Sequence, residues 1–297
     1  MQTFEKQLNR FKTEVGFIAA LDQSGGSTPT ALKTYGVNED AYNTDEEMFD
    51  LVHKMRSRII TSSAFDGERV LGAILFENTL DREIEGKPSS QYLWQEKNVV
   101  PLLKVDKGLE DEVNGVQLMK AIPGLDVLLK KAKAKDVFGT KMRSVVKLAN
   151  AAGIAQLVDQ QFEVAKQICA AGLVPIIEPE VDINSPEKAA AEVLLKAEIL
   201  KQLALLSSDE LVMLKLSLPE VANFYQQCIG HANVVKVVAL SGGFPIDEAN
   251  RRLRENNGII ASFSRVLTDN LFAEQADNDF DAALSATIEP IYIASKT

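Results

Sequence analysis

The chain has 297 residues, 46% hydrophobic and 25% charged, with 32 Lys and Arg against 42 Asp and Glu for a formal charge of −10. This is ample for a large globular core, and the acidic balance argues against nucleic acid and anionic membranes as partners. Two cysteines (Cys169, Cys228) and two histidines (His53, His231), with no HExxH motif or other histidine cluster, argue against a disulfide framework and a histidine-built metal site.

Phe4, Leu8 and Phe11 share one face of an amino-terminal helix that carries Glu5, Lys6 and Arg10, a pattern unlike a signal peptide. No apolar run reaches bilayer length, so a cytoplasmic protein is expected. Strand one reads from Gly16 to Leu21 and ends at Asp22, followed by the small polar turn Gln23–Ser27. A helix is expected over 45–62, strand two over 72–76, a long loop with room for a short helix over 77–98, and strand three over 99–104. Helix 124–136, strand 138–146 and helix 159–171 follow. Strand five, 173–177, runs into Glu178-Pro179-Glu180. Ser185-Pro186-Glu187 supplies a cap, a first-turn proline and an acid for what reads as the longest helix, to about residue 207. Strand six, 211–218, precedes a helix over 219–229; strand seven, 234–240, precedes a helix over 246–255. Strand eight, 258–261, is followed by helix to the carboxyl end. Each cysteine falls in a helix-like apolar context, which reads as two buried free thiols.

Eight apolar strands alternating with helices are the pattern of an α/β protein built as a (β/α)8 TIM barrel, here with an extra N-terminal helix. The length would allow two domains, but barrels of this size are commonly one, and a single unit over 1–297 is expected. A doubly wound sheet is the alternative; no GxGxxG or GxxxxGK[ST] follows a strand to support a nucleotide-binding version of it.

Barrel chemistry sits at the carboxyl ends of the strands, and here those ends carry Asp22, Lys104, Lys141, Arg143, Glu178, Glu180 and Lys215. Residues two apart on a strand share a face, so Lys141 goes with Arg143 and Glu178 with Glu180. Lys215 stands in the middle of the apolar run Leu211–Leu218. Either it caps the strand and reaches solvent, or it is a desolvated amine able to attack a carbonyl and form a Schiff base. The second reading suits its company. Neighbouring cations favour a neutral amine, Glu178 or Glu180 could dehydrate a carbinolamine, and Asp22 could take a hydroxyl proton during carbon–carbon cleavage. After strands seven and eight, Ser241-Gly242-Gly243 and Ser262-Phe263-Ser264-Arg265 stand where barrels bind phosphate through backbone N–H groups. Lys104, Ser24 and Ser27 could hold a second anion, and two anion sites flanking an imine lysine imply a bisphosphorylated sugar.

The stretches Ala19–Asp22, Ile74–Leu80, Lys104–Gly108, Lys141–Arg143, Pro175–Glu180, Leu214-Lys215, Leu240–Gly243 and Ser262–Arg265 together resemble class I fructose-1,6-bisphosphate aldolases, over nearly the whole chain. The resemblance implies a metal-independent, cofactor-free lyase with Lys215 as the Schiff-base lysine. It implies Glu178 as the proton acceptor and donor of imine formation, and Glu180 beside Lys215, orienting it. Asp22 would take the proton from the carbon-4 hydroxyl, with Lys141 assisting. Arg143, Lys104, Ser24 and Ser27 would bind the distal phosphate end, and Ser241, Gly242, Ser262, Ser264 and Arg265 the carbon-1 phosphate. It further implies self-association into an oligomer. The chain departs from the animal pattern in Ser264, where those enzymes have glycine, and in Ala31, near which they carry an arginine. It also ends at Thr297 without their long tyrosine-ended tail; Tyr292 falls in the helix pattern 288–294, and the shorter form looks bacterial. Tagatose 1,6-bisphosphate is the alternative substrate. A catalytically idle scaffold would erode the charged strand ends, and a barrel isomerase has no need of a strand-centred lysine beside a Glu-Pro-Glu pair.

Overall fold

A computed structural model describes residues 2–264 and 267–297. Eight strands run in parallel: β1 Phe17–Leu21, β2 Val70–Leu75, β3 Val100–Lys104, β4 Gly139–Val146, β5 Val174–Val181, β6 Val212–Ser217, β7 Val234–Leu240 and β8 Ile259–Ala261. Each pairs with the next in sequence, and β8 returns to lie beside β1 without a ladder between them among the described residues, so the strands form the expected barrel, nearly closed. Around it pack α1 Thr3–Thr13, α2 Ser27–Thr34, α3 Asp45–Thr61, α4 Glu77–Leu80, α5 Ser89–Gln95, α6 Leu125–Ala134, α7 Ala151–Ala170, α8 Lys188–Leu203, α9 Gln226–Ile229, α10 Ile246–Arg254 and α11 Asp277–Ala294.

The interior obeys the period of two. Ala20, Leu102, Ile176 and Met213 belong to one buried apolar cluster at the barrel axis. Two residues further along the same strands stand Asp22, Lys104, Glu178 and Lys215, so the lining turns from apolar to charged within one layer. The opposite, amino-terminal end is closed by α1. Phe11 joins the axial cluster, and the Phe138 ring meets Phe4 at 5.1 Å and Phe11 at 5.2 Å between centroids. Gly72 admits this plug: a Cβ there would come within 2.9 Å of the Phe11 ring. Burying the Phe11 and Phe138 rings contributes roughly 1.5–3 kcal/mol each.

Several boundaries differ from the sequence expectation. β5 continues through Glu178-Pro179-Glu180 to Val181, because β4 pairs with it along its whole length. α7 begins at Ala151, eight residues early, where the Asn150 side chain accepts from Gly153 N at 2.9 Å. With 20 residues α7 is longer than α8, which has 16. The helix expected over 219–229 is reduced to α9. Asn223 there adopts φ 61°, and its N–H bonds Asn256 Oδ1 while its side chain accepts from Asn257 N. That tertiary tie replaces helical hydrogen bonds. The stretch 77–98 holds two short helices and a small hairpin, α2 follows the first turn, and the final helix starts only at Asp277. Cys228 is buried and Cys169 half-buried, and both are free; burial pushes their thiols up to about 11 and about 12.

Candidate active site

The charged strand ends open into a cavity of about 560 Å³, a size suited to a small-molecule ligand. Its floor is built by a break in the sheet. The β5–β6 ladder stops at Ile177↔Leu214, and Glu178 and Lys215 come next in their strands. Ser217 Oγ then rejoins the pair through Val181 N at 2.9 Å and Val181 O at 2.7 Å. Glu178 is further held from behind by Gln161 of α7, whose Oε1 accepts from Glu178 N at 3.1 Å while its Nε2 donates to Ser144 Oγ.

Four side chains form a chain of ion pairs on this floor. Lys215 Nζ lies 3.0 Å from Glu178 Oε1, Lys141 Nζ lies 3.0 Å from Glu178 Oε2, and the same Nζ lies 2.7 Å from Asp22 Oδ2. All four residues are at least nine-tenths buried. Burial alone would raise the Asp22 carboxyl, but Lys141 and Lys215 outweigh it and hold it at about 2. Burial likewise opposes ionisation of Glu178, and the same two ammonium groups pull it below the usual carboxylate range. Burial disfavours the Lys141 cation, yet Asp22 and Glu178 hold it above the ordinary lysine range. The resting site therefore holds two carboxylates and a protonated Lys141 at neutral pH. Lys215 has Glu178 as its one carboxylate partner among the described residues, and its amine faces the cavity.

One sequence expectation is corrected. Glu180 does not partner Lys215; its Oε2 accepts from Arg143 Nε at 2.6 Å. In the β4–β5 register Arg143 lies opposite Glu178 and Val145 opposite Glu180, so the guanidinium reaches one step diagonally to the free carboxylate. Lys104 Nζ is tied to Asp106 through its carboxylate and, at 2.9 Å, its carbonyl. Ser24 and Ser27 bond one another at the mouth, Ser24 N to Ser27 Oγ at 3.0 Å, and Ala31 lines the same side. Across the mouth, Ser241, Gly242, Ser262 and Ser264 line the wall. Gly242 sits at φ 62°, and a Cβ would meet Ile183 at 2.6 Å, so the turn needs glycine. Ser262 Oγ is buried without a partner among the described residues, and so has a proton to offer a ligand. Arg265 lies outside the described residues. Tyr292 is half-buried in α11, with Lys296 Nζ 4.2 Å above its ring.

Sequence reasoning missed Gln23, Asp106 and Arg56. Arg56 left a legible signal: it shares the buried face of α3 with Val52, Met55, Ile59 and Ile60, where an arginine needs a reason.

Three comparisons bear on this site. The family model described as fructose-bisphosphate aldolase class-I, glycolytic, matches residues 9–222. Fructose-bisphosphate aldolase class 1 of Synechocystis sp. is 60% identical over 293 residues, covering 99% of this chain and 98% of that protein. The Clostridium acetobutylicum protein of the same description is 58% identical, covering 99% of each. A crystal structure of fructose-bisphosphate aldolase from Plasmodium falciparum, in complex with TRAP and a small molecule inhibitor, is similar with a TM-score of 0.77. At 21% identity over 99% of this chain and 94% of that one, it speaks to the fold alone.

Proposed function

The chain belongs to the class-I fructose-bisphosphate aldolase family, and from that premise we propose how its residues divide the reaction. It is a lyase that cleaves fructose 1,6-bisphosphate reversibly to dihydroxyacetone phosphate and glyceraldehyde 3-phosphate through a lysine Schiff base, a metal-independent chemistry.

In the proposed sequence Lys215 Nζ, having given a proton to Glu178, attacks the carbon-2 carbonyl. Glu178 then protonates the carbinolamine hydroxyl, which leaves as water, and the iminium forms. The 3.0 Å separation of Nζ and Oε1 allows both transfers without movement of the backbone. Asp22 takes the carbon-4 hydroxyl proton, the C3–C4 bond breaks, and its electron pair passes into the iminium to give an enamine. Lys141, fixed between Asp22 and Glu178, supplies a positive charge beside both proton-transfer steps. Protonation at carbon 3 and hydrolysis of the imine release dihydroxyacetone phosphate and restore Lys215. Ser241, Gly242, Ser262, Ser264 and Arg265 receive the carbon-1 phosphate. Arg143, with Lys104, Ser24 and Ser27, receives the distal end, and Glu180 fixes the Arg143 guanidinium rather than the lysine. A cytoplasmic location and self-association into an oligomer belong to the same reading; cell fractionation and analytical ultracentrifugation test them.

The observation that carries this reading is the Lys215–Glu178–Lys141–Asp22 chain at the floor of the cavity. Borohydride reduction in the presence of dihydroxyacetone phosphate tests it. A mass adduct on the peptide holding Lys215 is expected. An adduct on Lys104 or Lys141 would reassign the nucleophile, and no adduct with EDTA-sensitive cleavage would overturn the imine.

A further inference from the structure

Arg56 is fully buried on the core face of α3, behind the turn that follows β1. A buried guanidinium is costly unless its N–H groups find acceptors. Nη1 donates to Thr79 Oγ1 of α4 at 2.8 Å. Nη2 donates to the Gln23 carbonyl at 2.6 Å and reaches the Gln23 side-chain Oε1 at 3.4 Å. Among the described residues Arg56 forms no direct ion pair, and its Nε is buried without an acceptor. Burial pushes it down to about 10 against the attraction of Asp22, so it is charged at neutral pH. A cation so placed holds the β1 turn to the helix after β2, at the edge of the cavity that Gln23 lines.

The consequence falls on Gln23. A primary amide fits its pocket either way round, and its neighbours decide which end is which. Arg56 has donors only, so Oε1 faces Arg56. The NH2 then faces the opposite wall, where it donates to Ser264 Oγ at 3.2 Å and approaches Ala20 O at 3.4 Å. A serine hydroxyl has one proton and two acceptor lone pairs. With a lone pair engaged by the Gln23 amide, the Ser264 proton is left to point into the cavity.

We propose that Arg56 and Gln23 are positioning residues that set the hydrogen-bond polarity of Ser264, making it a donor to the phosphate at the carbon-1 end of the substrate. This rests on the reading of the β8 turn as the carbon-1 phosphate site. The direction runs Arg56 to Gln23 Oε1, Gln23 NH2 to Ser264 Oγ, and Ser264 O–H to a phosphate oxygen. Reversing any member reverses the last. A glutamate at position 23 would accept the Ser264 proton and bring a negative charge beside the phosphate. The relay spans the barrel seam, from the end of β1 to the end of β8, where no hydrogen-bonded ladder joins the two strands among the described residues.

The test uses the condensation direction, in which the two trioses bind separately and only dihydroxyacetone phosphate carries the carbon-1 phosphate. Ser264→Gly is expected to raise the KM for dihydroxyacetone phosphate by about tenfold, the loss of one hydrogen bond to a charged group. Gln23→Met is expected to raise it by ~3- to 10-fold in the Ser264 enzyme and less than ~1.5-fold in the Ser264→Gly background, because coupled groups fail to add. Gln23→Glu raises it further than Gln23→Met, and the KM for glyceraldehyde 3-phosphate moves less than ~2-fold throughout. Arg56→Met reproduces the Gln23→Met split and Arg56→Lys rescues part of it; should the Arg56 variants not fold, the Gln23–Ser264 cycle decides alone. Independent, multiplying effects of Gln23→Met and Ser264→Gly, or equal rises for both trioses, overturn the relay while leaving the phosphate site standing. An unchanged KM for dihydroxyacetone phosphate in Ser264→Gly overturns the relay and the part of the Ser264 hydroxyl in the phosphate site.

Discussion

Lys215 and Lys188 are both buried against glutamates, and they serve opposite ends. Lys215 sits on the floor of the cavity and Lys188 at the start of α8, and each is less than a tenth exposed. Lys188 Nζ has three acceptors for its three protons: Glu192 Oε1, Leu218 O at 2.8 Å and Glu220 Oε1 at 3.1 Å. Lys215 has one carboxylate, shared with Lys141, and an open cavity in front of it. Their carboxylates differ in the same way. Two ammonium groups overcome burial at Glu178 and keep it below the usual range. At Glu192 burial outweighs the pull of Lys188, and its carboxyl is raised. A saturated ammonium is structural; one left short of acceptors, facing a cavity, is available for chemistry.

The sharpest way to break this comparison is to remove each lysine. Lys215→Met is expected to lower kcat/KM by ~10⁴-fold or more, as loss of a nucleophile does. It should cost little stability, because Glu178 keeps Lys141 as partner. Lys188→Met is expected to keep kcat/KM within ~3-fold but lower the unfolding free energy by about 3–5 kcal/mol, having left Glu192 buried and uncompensated. Urea titrations and steady-state assays on both variants check the contrast; equal behaviour would dissolve it. Next, Glu178→Gln is expected to slow turnover by ~10²–10⁴-fold, the usual worth of a general acid–base group, and to slow formation of the borohydride-trapped adduct equally. The same change at Glu180 should act mainly through Arg143, raising the KM for fructose 1,6-bisphosphate by ~10-fold or more with the trapping rate less affected. A Glu180→Gln enzyme that traps as slowly as Glu178→Gln would restore Glu180 to the lysine.

The smallest effect is in the pH dependence of stability, and it has opposite signs in the two regions. Asp22 ionises at about 2 in the folded chain against an ordinary 3.8. Its contribution is present above 3.8 and is lost as pH falls toward 2, so wild type should lose stability relative to Asp22→Asn across that window. Glu192 has a raised carboxyl, so the unfolded chain ionises first, and wild type should lose stability relative to Glu192→Gln as pH rises above 4.5. Circular-dichroism unfolding at stepped pH reads both slopes.

The barrel and most of its charged mouth were legible in the sequence because both rest on period-two alternation inside apolar runs. Lys141 with Arg143, and Glu178 with Glu180, share a face for that reason alone. Which acid meets which base was not legible. Parity places Glu178 and Glu180 on one face, but only the β4–β5 register puts Glu180 within reach of Arg143. The helix expected over 219–229 failed for a similar cause, since its apolar pattern carries no sign of the Asn256 and Asn257 contacts that draw Asn223 out of helix. Arg56 was readable as a misplaced charge on a buried helix face, whereas its acceptors come from the β1 turn and α4.

Site-resolved labelling distinguishes a saturated buried lysine from an available one. Brief reductive methylation with formaldehyde and cyanoborohydride, read lysine by lysine by mass spectrometry, reports which buried amine is chemically available. Lys215 is expected to be modified at least ~10-fold faster than Lys188 and to be protected by dihydroxyacetone phosphate. Equal rates at the two lysines, or a Lys215 that reacts no faster when the cavity is empty than when it is filled, would mean that Lys215 is not the available amine.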